Sequence, residues 1–172
     1  MALREIVLLG DPILREKARE VESFDEELQA LVDDMFETMA YAEGAGLAAP
    51  QIGIPRRILV ADARRDAGPD ARVALVNPRV VESSAETDRA HEGCLSIPGV
   101  SEAVTRPSRV IVEGFDPSGE PIRIETEGIF GRVLQHEVDH LEGVLFIDRI
   151  SPLKRGLLLK KYRKLRKEVE AP

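Results

Sequence analysis

The sequence predicts an α+β fold in which small antiparallel or mixed β-sheets surround a central helix and a further helix forms the C-terminal end. Short β-rich segments are mixed with two or three helical ones, without the regular strand–helix alternation of a parallel sheet. At 172 residues the chain is long enough for one domain with a substantial core. No repeat or linker divides it, so we predict a single domain over residues 1–172.

The first half of the chain predicts one long helix and several strands. Apolar residues recur at steps of three and four between Phe24 and Tyr41, which indicates an amphipathic helix with Ser23 as its N-cap. Before it, residues 6–9 indicate a strand or an extended segment, and residues 13–18 indicate a helical turn. After it we expect strands at residues 57–62, 73–76 and 80–81, and then a polar, exposed loop at residues 82–90.

The second half predicts a hairpin followed by the central helix. Two β-rich segments, residues 109–115 and 121–125, flank the turn sequence Asp-Pro-Ser-Gly-Glu and indicate a β-hairpin. The apolar pattern of residues 128–141 predicts the central helix. The short apolar segment at residues 144–147 indicates a last strand.

The C-terminal segment differs in charge from the rest of the chain. Ser151 as N-cap and Pro152 at the first helical position predict a helix over residues 152–172. Residues 151–172 contain eight Lys or Arg and two Glu, whereas the other 150 residues contain 16 basic and 29 acidic side chains. Such an acidic body excludes general nucleic-acid binding, so we expect any contact with a polyanion at the basic helix.

Cysteine content and hydropathy bear on the compartment. The single cysteine, Cys94, excludes an internal disulfide bond and fits a reducing compartment. The first residues do not resemble a signal peptide, and no apolar run approaches the 18 residues of a membrane span. We therefore expect a cytoplasmic monomer without membrane contact.

The segment Gln-His-Glu-Val-Asp-His at residues 135–140 indicates a metal site on the central helix. His136 and His140 are four residues apart, so they lie on one face of a helix about one turn from each other. Two imidazoles in that arrangement can bind one metal ion, with Glu137 beside them to carry a proton. A pair of surface histidines on a helix would give the same short pattern.

A metal site of this kind needs a third ligand. Downstream of His140 there is no further histidine, so the best remaining donor is Cys94, which would bind as a thiolate. A lone cysteine can instead be a small core residue, but Cys94 lies between Gly93 and the pair Leu95-Ser96 in a segment suited to a ligand. We interpret His91 as a surface residue, because a fourth protein ligand would close a site that catalysis needs open.

The segment Gly-Ala-Gly-Leu-Ala-Ala-Pro-Gln at residues 44–51 is small and nearly uncharged. It has two interpretations, which this segment alone leaves open. Its glycines fit a helix end followed by a tight connector. They would equally allow the backbone to approach a ligand, with Gln51 offering a side-chain amide to it.

Together, three segments resemble the signature motifs of peptide deformylases, in the same order and at comparable separations. They are Gly44 to Gln51, Glu92 to Ser96 and Gln135 to His140. The resemblance continues at residues 10–15 and 143–146 and so covers nearly the whole chain. Two residues depart from the family pattern: Ala45 stands where Ile or Val is usual, and His91 where an acidic residue is common.

The resemblance implies an enzyme that removes formate from the N-formyl-methionine of newly synthesised bacterial polypeptides. It implies one divalent ion on Cys94, His136 and His140, with iron(II) as the native metal and zinc, nickel or cobalt as replacements. Glu137 would take a proton from water and pass it to the leaving amine. The other implied roles are oxyanion donors (the Gln51 side chain and the Leu95 backbone N–H), a backbone partner for the peptide (Gly46), a residue near the peptide (Arg106) and a methionine pocket (Ala45, Ile129, Val133).

Two alternatives to a deformylase fit the sequence less well. A zinc endopeptidase shares the His-Glu-x-x-His helix, but the downstream ligand typical of such enzymes is missing here. A non-catalytic protein with a structural metal site would normally supply four ligands, and the sequence offers three convincing ones.

In some bacterial deformylases a C-terminal helix docks near the ribosomal tunnel exit, so residues 152–172 are also a candidate contact with the ribosome.

Overall fold

The computed structural model describes residues 2–170 and contains two antiparallel sheets in that range. One sheet has five strands in the order β1-β2-β3-β6-β7, and the other is the pair β4-β5. Short 3-10 turns lie at Pro12–Arg15, Ala49–Ile52 and Phe146–Arg149. The helices and strands in chain order are α1 (Glu26–Tyr41), β1 (Gly46–Ala48), β2 (Ile58–Asp62), α2 (Arg64–Ala67), β3 (Arg72–Ser83), β4 (Thr87–Cys94), β5 (Ile97–Pro107), β6 (Arg109–Phe115), β7 (Pro121–Glu127), α3 (Gly128–Leu141) and α4 (Pro152–Glu170).

The five-stranded sheet has a helix on each face. Along β2, Leu59 and Ala61 pack in the cluster that contains α3, whereas Ile58 and Val60 pack in the cluster that contains α1. Successive side chains of a strand point to opposite faces, which explains why β2 is apolar at every one of these positions. The predicted α+β class, with α3 at the centre, is confirmed.

α1 begins two residues later than the sequence indicated. Its N-cap is Asp25, whose side chain accepts a hydrogen bond from the backbone N–H of Leu28 at 3.0 Å. The prediction of Ser23 as N-cap is therefore wrong. Aspartate caps a helix as well as serine does, and Glu26 and Glu27 in the first turn favour this start through the helix dipole.

The predicted loop at residues 82–90 is also wrong, because β3 continues to Ser83 and β4 begins at Thr87. β4 pairs with β5 from Thr87 opposite Pro107 to Cys94 opposite Ile97. Most side chains of β4 are exposed, so the strand lacks the alternation of apolar and polar residues that reveals a half-buried strand. The expectation that this region is exposed is confirmed.

The expected last strand at residues 144–147 is wrong, because residues 144–145 lead into the 3-10 turn Phe146–Arg149 and residues 146–147 form its first half. The side chain of Asp148 accepts a hydrogen bond from the backbone N–H of Leu145 at 2.9 Å and closes the turn. Asp148 also pairs with Arg15 and with Arg155. Burial opposes its ionisation, but the hydrogen bonds from Arg15 and Leu145 lower the pKa of Asp148 below its ordinary value.

α4 lies on the hairpin β4–β5 and starts as predicted. Ser151 Oγ accepts a hydrogen bond from the backbone N–H of Lys154 at 3.2 Å, as an N-cap does. Leu158 and Tyr162 are buried in a third core cluster with β5 and the last 3-10 turn, whereas Val169 is 70% exposed. The final residues of the predicted helix, 171–172, lie outside the described range. No helix within residues 2–170 has the length and apolar character needed to cross a membrane.

Candidate metal centre and active site

A cysteine and two histidines from separate elements meet beside α3. His136 and His140 lie one turn apart on the helix, with their ring centroids 5.1 Å apart. Cys94 is the last residue of β4, where the pairing with β5 becomes irregular. Its Sγ lies 3.3 Å from Nε2 of His140, and one ligand atom of each residue lies within 4.8 Å of the others. The structure thus brings together the three residues that the sequence predicts as ligands.

The chemistry of these donors fits one divalent metal ion. A thiolate and two imidazoles are ligands that zinc and iron(II) both accept. His140 is buried, and its Nδ1 has no hydrogen-bond partner among the described residues. Burial, with the neighbouring charge of His136, lowers the pKa of His140 well below its ordinary value. His140 is therefore a neutral imidazole, which is the form that binds a metal.

Glu92 fixes the orientation of His136. Its Oε1 lies 2.9 Å from Nδ1 of His136. Burial opposes the ionisation of Glu92, but hydrogen bonds from His136 and Arg106 lower its pKa to about 2. Because Glu92 is a carboxylate, Nδ1 of His136 donates to it, and Nε2 is directed to the metal position.

The pKa of His136 indicates what metal binding would displace. Burial alone would lower this pKa, but the charge of Glu137 and the hydrogen bonds to Cys94 and Glu92 raise it well above its ordinary value. These contacts favour a second proton on His136. Binding of a divalent ion would release it.

Glu137 follows His136 on α3, and its side chain ends in a buried position beside the histidines. Its Oε2 lies 3.9 Å from Nε2 of His136, and its Oε1 has no hydrogen-bond partner among the described residues. Burial raises the pKa of Glu137 to about 7, against the opposing charge of His136. The side chain lies against Gly46, where an added Cβ would be 2.5 Å from Oε2. Glu137 thus has an oxygen free to accept a proton.

Gln51 presents its amide nitrogen to the same site. Its Oε1 accepts a hydrogen bond from the backbone N–H of Ala48 at 2.9 Å, which fixes the orientation of the amide. Its Nε2 then lies 3.1 Å from Oγ of Ser96 and 3.6 Å from Sγ of Cys94. Leu95, between those two residues, lines the adjoining cavity. The two residues predicted as oxyanion donors therefore lie beside the candidate ligands.

A cavity of about 480 Å³ opens from this site. Ala45, Gly46, Ile129 and Val133 all lie on its walls, as the sequence analysis expected of substrate-binding residues. Ile129 is 44% exposed and belongs to the rim. His91 also borders the cavity and is exposed, so its interpretation as a surface residue is confirmed, although it lies on β4 and not in a loop.

Arg106 lies beneath the site and not on the cavity wall. Its buried guanidinium donates to Glu92 from Nε at 2.6 Å and from a terminal nitrogen at 2.9 Å. A third hydrogen bond joins it to Asp139 of α3 at 2.9 Å. This corrects the expectation that Arg106 lies near the peptide, because two buried carboxylates hold its side chain inside the protein.

Comparisons with known proteins identify the family. The family model described as polypeptide deformylase matches residues 3–156. The chain belongs to this family. It is 47% identical over 165 residues to the peptide deformylase of Brucella suis biovar 1, covering 96% of this chain and 94% of the relative. It is 46% identical over 170 residues to that of Acidobacterium capsulatum, covering 99% of each.

Solved deformylase structures share the fold. A crystal structure of a peptide deformylase from Legionella pneumophila superposes with a TM-score of 0.91 at 43% identity, covering 99% of both chains. The peptide deformylase from Ehrlichia chaffeensis in complex with actinonin gives a TM-score of 0.89 at 38% identity and covers 100% of both. The endopeptidase alternative is not favoured, since these relatives are peptide deformylases.

Glu92, Arg132 and Asp139 contribute to the site, although no role was predicted for them from the sequence. Glu92 stands within the deformylase motif that contains Cys94, and Asp139 within the motif that contains the histidines. Arg132 precedes His136 by four residues, so it shares that face of α3. A charged residue on the buried face of an apolar helix was the signal that could have revealed Arg132.

Proposed function

We propose that this chain hydrolyses the formamide of N-formyl-methionyl peptides and releases formate. The observation that carries the proposal is the convergence of Cys94, His136 and His140 with the unpartnered Glu137 oxygen beside a cavity. Membership of the polypeptide deformylase family supports the same reaction. Water adds to the formyl carbon, the C–N bond breaks, and the products are formate and the free α-amine of methionine.

Cys94, His136 and His140 would hold one divalent ion. When bound, the ion supplies a positive charge that acidifies water and polarises the formyl oxygen. We propose iron(II) as the native metal, as the resemblance to peptide deformylases implies. Zinc, nickel or cobalt could replace it, because thiolate and imidazole donors accept all of these ions.

Glu137 moves the proton in this proposal. Its buried Oε1 has no partner within the described residues, so a water proton can be transferred to it without breaking an existing hydrogen bond. The same oxygen then donates that proton to the leaving nitrogen, which would otherwise depart as an unstable amide anion. Proton transfer of this kind contributes about 10²–10⁴ in rate.

Gln51 and Leu95 would stabilise the oxyanion that forms when water attacks. The Gln51 amide is held from behind by Ala48, so Nε2 does not have to reorient during the reaction. The backbone N–H of Leu95 lies next to Cys94, in the turn that leads into β5. Each preorganised donor of this type is worth about 10²–10³ in turnover.

The substrate would lie along the edge strand β1. Gly46 pairs with Ala61 on one side, and β1 is the outer strand of the five-stranded sheet. An extended peptide can therefore add to its other side through backbone hydrogen bonds. The methionine side chain would enter between Ala45, Ile129 and Val133.

The experiment uses a formyl-Met-Ala peptide with the metal-loaded chain. We expect stoichiometric formate and free Met-Ala peptide, with all peptide bonds intact by mass spectrometry. Glu137→Gln serves as the control, because it keeps the three ligands and should lose about 10²–10⁴ in turnover. Internal cleavage without loss of the formyl group would contradict the proposal and favour an endopeptidase.

The partners and the location follow as further proposals. The exposed lysines and arginines of α4 provide positive charge that suits ribosomal RNA at the exit of the nascent chain. We propose that α4 contacts the ribosome there. Monomeric state and cytoplasmic location stay predictions from the sequence.

A further inference from the structure

Arg132 joins the two parts of the protein that supply the metal ligands. Cys94 belongs to the pair β4–β5, which forms its own sheet, whereas His136 and His140 belong to α3 on the five-stranded sheet. The distance between Cys94 and the histidines is therefore set by how the hairpin docks on the helix.

The guanidinium of Arg132 makes contacts with both strands of the hairpin. One terminal nitrogen donates to Glu92 Oε2 of β4 and to the backbone carbonyl of Val104 of β5, each at 2.8 Å. The other terminal nitrogen donates to the side chain and the backbone carbonyl of Asp88, near the start of β4. The side chain reaches across from α3, so a single group fixes one helix against two strands.

Arg132 also completes the coordination of Glu92. Oε1 of Glu92 accepts from His136 and Arg106, and Oε2 accepts from Arg106 and Arg132. A carboxylate has about four lone-pair positions, so these four donors occupy them all. Without Arg132, Oε2 loses a charged donor in a buried setting, and Arg106 alone remains to hold the carboxylate against His136.

Binding of substrate by Arg132 is the rival interpretation, since the residue borders the cavity. The two terminal nitrogens of Arg132 already donate hydrogen bonds to Glu92, Val104 and Asp88. The side chain is only 9% exposed. Its charge is thus directed into the protein and away from a ligand.

We propose that Arg132 is a positioning residue for the metal centre: it docks the β4–β5 hairpin on α3 and holds Glu92 against His136. This inference rests on the metal site of the proposed function. Partners of this kind that orient a metal-binding histidine are typically worth about 10–100-fold in metal affinity.

The test is titration of the metal-free full-length chain with Co²⁺, read by the thiolate-to-cobalt charge-transfer absorption. Arg132→Met, which removes the donors and keeps much of the volume, should weaken Co²⁺ binding about 10–100-fold. Arg132→Lys should recover part of this loss, because its ammonium can reach one partner but not bridge the two strands. Asp88→Ala, at a half-exposed side chain, should weaken binding about two- to fivefold.

Arg57→Met is the matched control. Arg57 is 9% exposed, pairs with Glu142 and donates to the backbone carbonyl of Pro78, so it is about as buried as Arg132 and is also hydrogen-bonded through its guanidinium. It touches neither the ligands nor Glu92. Its loss should lower the melting temperature while Co²⁺ affinity stays within about twofold of the unmodified chain.

The outcomes separate the two proposals. If the unmodified chain gives no charge-transfer absorption, or if Cys94→Ser retains it, the metal site of the proposed function is wrong. If that absorption is normal but Arg132→Met binds Co²⁺ as the unmodified chain does, or Arg57→Met is weakened equally, the role of Arg132 is wrong. If Arg132→Met does not fold, unchanged affinity in Asp88→Ala overturns the inference and weakened affinity supports it.

Discussion

A single methyl group added at Gly46 should lower the rate of catalysis without destabilising the fold. An alanine Cβ at this position would lie 2.5 Å from Oε2, 2.8 Å from Cγ and 2.9 Å from Cδ of Glu137. Non-bonded carbon atoms prefer about 3.5–4.0 Å, so the carboxylate must withdraw by about 1 Å. The strand conformation of Gly46 accepts alanine, because its φ is not positive.

A displacement of about 1 Å in a catalytic group typically costs about 10² in rate. That factor corresponds to about 2.7 kcal/mol of transition-state stabilisation. We therefore expect Gly46→Ala to lower kcat on a formyl-Met-Ala peptide about 100-fold. Metal content and melting temperature should stay close to those of the unmodified chain, since the three atoms nearest to the added methyl group all belong to Glu137 and none to a predicted metal ligand.

The decisive comparison repeats Gly46→Ala in the Glu137→Gln background. With the base already removed, the methyl group has no catalytic carboxylate to displace, so the additional loss should be less than about threefold. Metal loading is measured in all four proteins, so that turnover is expressed per bound ion. A loss of about 100-fold in both backgrounds would refute the reasoning and assign Gly46 to substrate binding alone. Full activity of Gly46→Ala would show that the position of Glu137 does not limit turnover.

Three further predictions concern specificity, docking and acid stability. Ala45→Ile narrows the cavity and should raise the preference for formyl-Met over formyl-Phe peptides about tenfold or more in kcat/KM; unchanged discrimination would contradict the pocket assignment. Replacing Lys160, Lys161 and Lys164 by Ser should weaken low-salt co-sedimentation with ribosomes while turnover on short peptides is retained, and equal co-sedimentation would leave α4 a structural role. Asp148→Asn should lower the melting temperature at pH 7. Because the folded-state pKa of Asp148 is lowered, this difference in melting temperature should shrink as the pH falls below about 4. A difference that does not depend on pH would argue against the ion pairs.

The lysine substitutions are preferred to removal of α4 because of how the helix packs. Leu158 and Tyr162 are buried against the hairpin, so deletion of residues 152–172 would open the third core cluster. Exposed lysines can be replaced without disturbing that contact. The number of lost charges then sets the expected change in salt dependence, at about 0.9 per phosphate contact in the logarithmic slope.

The parts of the fold that were predictable are those with strong hydrophobic periodicity. α3 was predicted at its observed bounds, Gly128–Leu141, because its apolar residues recur at helical spacing between polar ones. The hairpin β6–β7 followed from two β-rich segments around turn residues. The β4–β5 hairpin was missed, since β4 lies largely in solvent and its stability comes from backbone pairing and from charged side chains.

The residues of the candidate site also differ in how far the sequence could predict them. The histidines and Glu137 were predictable from helical spacing, and Cys94 from the need for a third ligand and from the family motif. Arg106 was assigned to the peptide from the family resemblance. Arg132 was given no role, because sequence reasoning places charged side chains on surfaces by default. Arg106 pairs with both Glu92 and Asp139, and Arg132 also pairs with Glu92. Glu92 and Asp139 lie on a strand and a helix more than 40 residues apart in the chain, and no local pattern connects them.

The buried charges around Glu92 are best explained by orientation and not by stability. Burying Glu92, Arg106, Arg132 and Asp139 costs desolvation energy that their mutual attraction only roughly offsets, and a packed apolar cluster of equal volume would often be as stable. An apolar cluster, however, could not direct Nδ1 of a histidine or fix a hairpin to a helix in one register. Arg106 and Arg132 lie between the β4–β5 hairpin and α3, whose relative position sets the distances between the three candidate metal ligands. The charge network therefore stands where geometric accuracy matters most for the reaction, and its cost in stability is met by the apolar cores on either side of the sheet.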